Sequence, residues 1–109
     1  LGTIEPVDEA AQIIKANNGS TMFHVDCVQA YGKIPLNVRN LKADFMSFSA
    51  HKIHGPKGVG MLYMRRGTRL HPLISGGGHE RKLRSGTVNV RYCGIRPGGF
   101  HKNFGNEAG

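Results

Sequence analysis

The sequence predicts an α/β fold, and three observations support it. One amphipathic helical segment stands near the start, three short apolar strands follow it, and Gly-rich loops separate the later elements. The 109 residues are enough for one small domain. The strands are apolar on both faces, which is typical of a sheet that is covered on both sides in the intact protein.

Residues 6–16 (PVDEAAQIIKA) predict the helix. Pro6 suits the first helical position, and Asp8 and Glu9 favour the positive end of the helix dipole. One apolar stripe is formed by Val7, Ala10, Ala11, Ile13 and Ile14. The segment 17–19 (NNG) tolerates left-handed backbone, so we expect the helix to end there.

Three short runs predict the strands: residues 21–25 (TMFHV), 45–49 (FMSFS) and 59–64 (VGMLYM). Asp26 follows the first run directly. Only the Gly-rich loop 54–58 (HGPKG) and a few further residues separate the second run from the third. We therefore expect the third strand to run antiparallel to the second.

The remaining segments are polar. Residues 75–87 (SGGGHERKLRSGT) form a basic, Gly-rich stretch, which is typical of a functional or disordered loop. Arg65, Arg66 and Arg69 are predicted to lie in a solvated turn. From Arg91 onward, RYCGIRPGGFHKNFGNEAG has neither helical nor strand periodicity.

Composition narrows the class of protein. The formal charge of +8 invites a nucleic-acid or membrane-surface partner, but the basic residues are not interleaved with aromatics as in single-strand binders. We expect neither partner, although a non-catalytic basic binding module stays the rival from another class. Two cysteines, no apolar run of membrane length and no secretion signal indicate a cytoplasmic chain.

Asp26 and Lys52 each follow a predicted strand closely. Ligands of open α/β sheets bind outside the carboxyl ends of the strands, so neighbouring strands would bring both residues to one crevice. Pyridoxal 5'-phosphate (PLP) chemistry needs such a pair, a lysine amine for the cofactor aldehyde and a carboxylate for the pyridine nitrogen. Spacing alone favours the more common alternatives, a helix-capping Asp26 and a solvated Lys52.

Four successive segments carry a resemblance: 24–30 (HVDCVQA), 49–60 (SAHKIHGPKGVG), 76–80 (GGGHE) and 84–90 (RSGTVNV). In order and register they resemble the class V aminotransferase superfamily, and within it the cysteine desulfurases. The resemblance implies that residues 1–90 are part of the PLP-binding large domain of a fold-type I enzyme, with a mixed, mostly parallel sheet flanked by helices.

The resemblance also implies the roles of six residues: Asp26, Gln29, Ser49, His51, Lys52 and Thr87. Lys52 holds the cofactor and acts as general base and acid. Asp26 pairs with the pyridinium nitrogen and Gln29 sits near the ring's phenolic oxygen. Ser49 and His51 bind the cofactor phosphate, and Thr87 reaches the same phosphate from the partner subunit of a homodimer.

The implied reaction is removal of sulfur from L-cysteine, which gives L-alanine and an enzyme persulfide for an iron–sulfur scaffold or another sulfur-acceptor protein. A selenocysteine lyase or an aminotransferase of the same superfamily is the near alternative. His51 and His54 resemble a metal pair, but no further ligands are suitably spaced and we expect no metal. Cys27 is expected to be a packing residue.

The family's nucleophilic cysteine and its substrate-carboxylate arginine have no counterpart in this sequence, so the resemblance implies an internal fragment. Relatives continue after RSGT-x-NV with a Pro-Gly-Ile turn and an Ala-rich helix. For a suitable choice among the permitted codons, the segment 91–109 read one base out of phase can give PGIAAFGRAAFTKTLETK. We therefore hypothesise that this atypical tail arises from a frameshift, which would leave Cys93 without a function.

Overall fold

Three short strands form a mixed sheet in the order β1-β2-β3. Strand β1 is His24–Asp26, β2 is Phe45–Ser49 and β3 is Gly60–Met64. The central strand β2 pairs in parallel with β1 and antiparallel with β3. The structure, a computed structural model, describes residues 2–87, and the chain divides into two units between Thr68 and Arg69.

Helix α1 spans Val7–Asn17, close to its predicted extent. Ala11 is fully buried, whereas Ile13 is 63% exposed and lies outside the buried stripe. The expected left-handed ending is wrong, because Asn18 is extended (φ −152°, ψ 102°). The Asn18 side-chain oxygen instead accepts hydrogen bonds from the backbone N–H and the hydroxyl of Ser20. The helix thus ends in a side-chain turn of the kind that Asn forms readily.

Strand β1 is shorter than predicted and shifted toward Asp26, which is its last residue. Thr21 and Met22 are exposed and lie outside it. The reason is the position of Phe23, whose carbonyl accepts hydrogen bonds from the backbone N–H groups of Asp44 and Phe45 at 2.8 and 3.2 Å. These bonds join the segment to the entrance of β2, and regular pairing begins only after them.

Strand β2 has the predicted bounds, and its burial alternates along the strand. Met46 and Phe48 are buried on one face, so Ser47 and Ser49 lie on the other. Strand β3 is antiparallel to β2, as predicted, and begins at Gly60. The described residues cover the opposite face, on which Ser47 lies, only in part. Leu62, which pairs with Ser47 on that face, is 49% exposed.

The core lies on the Met46 face of the sheet. Its buried members are Cys27, Ala43, Met46 and Phe48. Partly buried apolar side chains pack around them, namely Phe23, Val25, Tyr31, Leu36, Val38, Leu41 and Tyr63. The rings of Tyr31 and Phe48 meet edge to face, with centroids 5.0 Å apart. Such an arrangement adds a specific aromatic contact to the burial of apolar area.

A buried carboxylate connects α1 to the sheet. The Asp44 side chain, only 11% exposed, accepts hydrogen bonds from the Lys15 amine at 2.6 Å and from the Phe23 N–H at 2.7 Å. Burial alone would raise the pKa of Asp44, but these hydrogen bonds and the positive charges of Lys15 and Arg65 together lower it. The network holds the carboxylate ionised at the entrance of β2.

The prediction of a solvated turn is wrong for Arg65. Its Nε donates to the carbonyl of Ala43 at 2.9 Å, and one terminal nitrogen donates to the carbonyls of Val38, at 3.2 Å, and Leu41. The guanidinium therefore ties the segment before β2 to the end of β3. Arg66 is exposed, as expected.

In the second unit, the predicted irregular loop contains one short turn, Glu80–Lys82. All three residues of that turn have positive φ, between 48° and 66°, so the turn is left-handed. Ser85 is buried, and its Oγ accepts a long hydrogen bond of 3.4 Å from the Gly78 N–H. The expected boundary at Arg91 and the tail beyond it lie outside the described residues.

Candidate functional site

Asp26 and Lys52 lie at the same edge of the sheet. Asp26 ends β1 and pairs with Ser47, and β2 ends at Ser49, immediately before the turn Ala50–Lys52. The two strands are parallel neighbours, as the argument from the sequence required. Asp26 and Lys52 are both exposed. A carboxylate and an amine thus flank the edge at which α/β sheets bind ligands.

The Asp26 carboxylate is fixed by its own turn. Its Oδ1 accepts a hydrogen bond of 3.0 Å from the backbone N–H of Val28. The N–H of Cys27 donates to the Ser47 carbonyl at 2.9 Å, which continues the pairing of β1 with β2. Asp26 therefore closes a turn with its own backbone, and in the described part of the chain its Oδ2 accepts no hydrogen bond. That second oxygen is available to a ligand.

The segment after β1 forms a compact turn around the Cys27 carbonyl, which accepts from the N–H groups of Ala30 and Tyr31 at 3.1 and 2.9 Å. Gln29 lies in this turn and is exposed. Its side-chain Oε1 accepts a hydrogen bond of 2.9 Å from the Lys33 amine. Sequence reasoning missed this pair, although the i, i+4 spacing was visible.

The segment after β2 is a tight turn around the Ala50 carbonyl, which accepts from the N–H groups of Ile53 and Gly55 at 3.0 and 2.8 Å. The Ala50 N–H donates a hydrogen bond of 3.0 Å to the backbone carbonyl of Val59. A side chain at position 55 would place its Cβ 2.8 Å from the Ala50 Cβ, so only glycine fits. His54 has a left-handed φ of 62°. This turn holds His51 and Lys52 at the surface.

The two turns touch each other. Gly32 has a φ of 75°, and a Cβ at this position would lie 3.0 Å from the Ile53 Cγ2. The backbone after β1 therefore passes close to the turn that follows β2. This approach brings the turn that contains Gln29 next to the turn that contains Lys52.

Ser49, His51 and Lys52 lie at this edge, and none of their side chains forms a hydrogen bond or ion pair with the chain between residues 2 and 87. Their polar groups can therefore bind a ligand without breaking an internal contact. The backbone N–H groups of Ala50, Ile53 and Gly55 already donate within the fold and are therefore not free to bind a ligand. Thr87 is exposed in the second unit, and its role stays a prediction.

Cys27 is unsuited to nucleophilic chemistry. It is 1% exposed, and burial, followed by the negative charge of Asp26, raises the pKa of its thiol. The expectation of a packing residue fits this burial. In the range 2–87, no cluster of three or more His, Cys, Asp or Glu side chains is arranged to hold a metal ion. The same range contains no helix with the length and apolar character of a membrane span.

Comparison with known proteins identifies the family. Residues 1–95 match the family described as Aminotransferase class-V. The chain belongs to the class V aminotransferase family. The resemblance of the four segments is thereby confirmed, and so is the α/β fold with a mixed sheet. Enzymes of this family depend on PLP.

Individual relatives point to one branch of the family. The chain is 53% identical over 90 residues to the cysteine desulfurase IscS of Dictyoglomus turgidum, a match that covers 83% of this chain and 22% of the relative. It is 49% identical over 89 residues to the cysteine desulfurase NifS of Azotobacter vinelandii, covering 82% of this chain and 22% of the relative. The chain thus spans about a fifth of the length of these relatives.

Two solved structures agree with this result. A NifS-like protein superposes with a TM-score of 0.79 and 56% sequence identity, covering 84% of this chain and 25% of that structure. A structure described as SspA in complex with cysteine gives a TM-score of 0.75 at 38% identity, covering 84% of this chain and 26% of that structure. The folds and the identities therefore support the same family.

Proposed function

We propose that this chain carries the PLP-anchoring part of a cysteine desulfurase, which converts L-cysteine to L-alanine and an enzyme persulfide. In that reaction a cysteine thiolate of the complete protein attacks the substrate sulfur, and the Cβ–S bond of the substrate breaks. The sulfur stays on the enzyme as the persulfide, and the carbon skeleton takes up a proton to become L-alanine. The persulfide then passes its sulfur to an iron–sulfur scaffold or another acceptor protein.

The observation that carries the proposal is the position of Asp26 at the end of β1 and of Lys52 in the turn that follows β2, at the edge where these two adjacent parallel strands end. When bound, PLP supplies an electron-accepting ring that stabilises negative charge on the substrate α-carbon. The Lys52 amine would bind the cofactor aldehyde and later move a proton at that carbon. The unused Oδ2 of Asp26 would hold the proton on the pyridine nitrogen, because a carboxylate stabilises that positive charge.

The remaining polar groups of this edge fit the rest of the cofactor. The Ser49 hydroxyl and the His51 imidazole would bind the phosphate, for which hydroxyl and imidazole donors are well suited. Gln29 would donate from its amide to the phenolic oxygen of the ring. Thr87 would reach the phosphate of the partner subunit in a homodimer. The cytoplasm is the proposed location of the complete protein.

The rival of a nucleic-acid-binding module finds little support in the described residues. Stacking on nucleic-acid bases needs exposed aromatic rings, but Tyr31, Phe48 and Tyr63 belong to the core cluster. Two of the basic groups, Lys15 and Arg65, bind within the fold. The names of the relatives likewise favour the desulfurase over another class V activity.

A chimera tests the proposal. The matched 90-residue segment of this chain replaces its counterpart in the Dictyoglomus turgidum relative, which supplies the remaining segments. Formation of alanine from L-cysteine is then measured. Lys52→Ala should lower the rate by about 100-fold or more, because Lys52 acts as the general base and acid. Lys57→Ala, a change of another exposed lysine of the same loop, should keep the rate within about twofold.

An unchanged rate in Lys52→Ala would overturn the proposed role of Lys52. Salt-sensitive binding of nucleic acid by the chimera, with no alanine formed at any substrate concentration, would favour the rival module.

A further inference from the structure

We propose that Lys33 is a positioning residue, which turns the Gln29 amide so that its NH₂ group faces the cofactor's phenolic oxygen. The inference rests on the proposed function and extends it to a residue outside the predicted cofactor-binding set. Lys33 itself touches neither cofactor nor substrate in this proposal and acts only through Gln29.

The hydrogen bond between the two side chains fixes which amide atom each partner uses. The Lys33 Nζ lies 2.9 Å from the Gln29 Oε1. An ammonium group has three donors and no acceptor, so it can bind only the oxygen of the amide. A glutamine side chain is otherwise free to rotate by half a turn, which exchanges oxygen and nitrogen. With its oxygen bound to Lys33, the amide presents its NH₂ to any other partner.

The backbone of the turn holds the two residues in register. The Ala30 carbonyl accepts hydrogen bonds from the N–H groups of Lys33 and Ile34, at 3.0 and 3.1 Å. Gly32, directly before Lys33, lies against Ile53 of the Lys52 turn. The backbone at Lys33 is therefore held beside the edge that carries Asp26 and Lys52, four positions along the same turn from Gln29.

The orientation of the amide matters because the phenolic oxygen of lysine-bound PLP carries negative charge. An N–H directed at that oxygen stabilises it, whereas a carbonyl oxygen in the same place would repel it. Stabilising the negative oxygen favours the deprotonated form of the lysine-bound cofactor. Loss of the donor should therefore raise the pH at which the cofactor loses its proton.

The test is a pH titration of the visible absorption of the cofactor in the chimera. Gln29→Leu removes the donor and should raise the midpoint by about one pH unit, as expected for a hydrogen bond to a charged group. Lys33→Met loosens the donor and should raise the midpoint by about 0.3 pH unit. Lys33→Arg keeps a donor for Oε1 and should restore the original midpoint. The matched control is Lys42→Met, an exposed lysine before β2 at the opposite edge of the sheet, which should leave the midpoint unchanged.

The double variant separates positioning from simple loss of charge, because a cation near the cofactor would shift the midpoint in the same direction. If Lys33 acts through Gln29, Lys33→Met has no further effect once Gln29→Leu is present. A shift that persists in the Gln29→Leu background would show a direct charge effect and overturn the proposal, as would a Lys33→Met midpoint equal to that of the unsubstituted chimera. Absence of any cofactor absorption in the unsubstituted chimera would instead overturn the proposed function itself.

Discussion

The buried Asp44 carboxylate offers a quantitative test of how the site's framework is held. Asp44→Ala removes the acceptor for the Phe23 N–H at 2.7 Å and the partner of the Lys15 amine at 2.6 Å. Leaving these donors without an acceptor in a side-chain environment only 11% exposed should cost about 2 kcal/mol. Because about 1.4 kcal/mol corresponds to a factor of ten, local opening around Phe23 should become about 30-fold more frequent.

Native-state hydrogen exchange of the chimera measures this opening directly, from the exchange rate of peptides that contain Phe23. Asp8→Ala is the matched control, since Asp8 is an exposed carboxylate in the first turn of α1. The control should change the exchange rate of Phe23 by less than about threefold. If Phe23 in Asp44→Ala exchanges as slowly as in the Asp8→Ala control, the Asp44 carboxylate does not hold β1 in place.

The same carboxylate predicts a pH dependence. The pKa of Asp44 is lowered in the folded chain, so its stabilising contribution is present above the unfolded pKa of about 3.9 and is lost as the pH falls through the folded value. Protection of Phe23 should therefore persist at weakly acidic pH and disappear only below the ordinary range of an aspartate. Loss of protection near neutral pH would contradict this assignment.

Three further predictions concern single residues. Gly55→Ala should weaken PLP binding by about tenfold in a fluorescence titration. The added methyl group overpacks against Ala50, which costs at least about 1.4 kcal/mol and displaces the turn that holds Lys52. Unchanged affinity would contradict the requirement for glycine at this position. Arg65→Met should lower the melting temperature by several degrees, because it removes hydrogen bonds to backbone carbonyls, whereas Arg66→Met should not. Equal melting temperatures of the two variants would refute the stabilising role of Arg65. Alkylation of Cys27, read by mass spectrometry, should be slow at neutral pH and accelerate in denaturant, and equal rates would contradict its burial.

The sequence predicted the edge of the site well, because that edge depends on local patterns. The short apolar run predicted the bounds of β2 correctly. Asp26 and Lys52 each follow a strand, so the parallel pairing of β1 with β2 brings them to one edge of the sheet. The start of β1 could not be predicted, since it depends on the Asp44 side chain, 21 positions from Phe23. Such long-range hydrogen bonds leave no trace in periodicity.

Arg65 shows the same limit. Three closely spaced arginines indicated a solvated turn. The hydrogen bonds of Arg65 to backbone carbonyls, however, reach back 22 to 27 positions along the chain. Carbonyl acceptors carry no residue identity, so no sequence pattern marks them. The frameshift hypothesis for residues 91–109 stays a prediction, and sequencing the coding DNA across Arg91 tests it: a single base should restore the Pro-Gly-Ile turn and the Ala-rich helix.

The role of Lys52 is tested most directly by identifying the lysine to which PLP becomes covalently attached. The chimera is incubated with PLP, reduced with borohydride and digested, and the modified lysines are identified by mass spectrometry. We expect one dominant label at Lys52, which Lys52→Ala abolishes and Lys57→Ala leaves in place. A label scattered over many lysines, or one that survives Lys52→Ala within this segment, would contradict the assignment of Lys52 as the cofactor anchor.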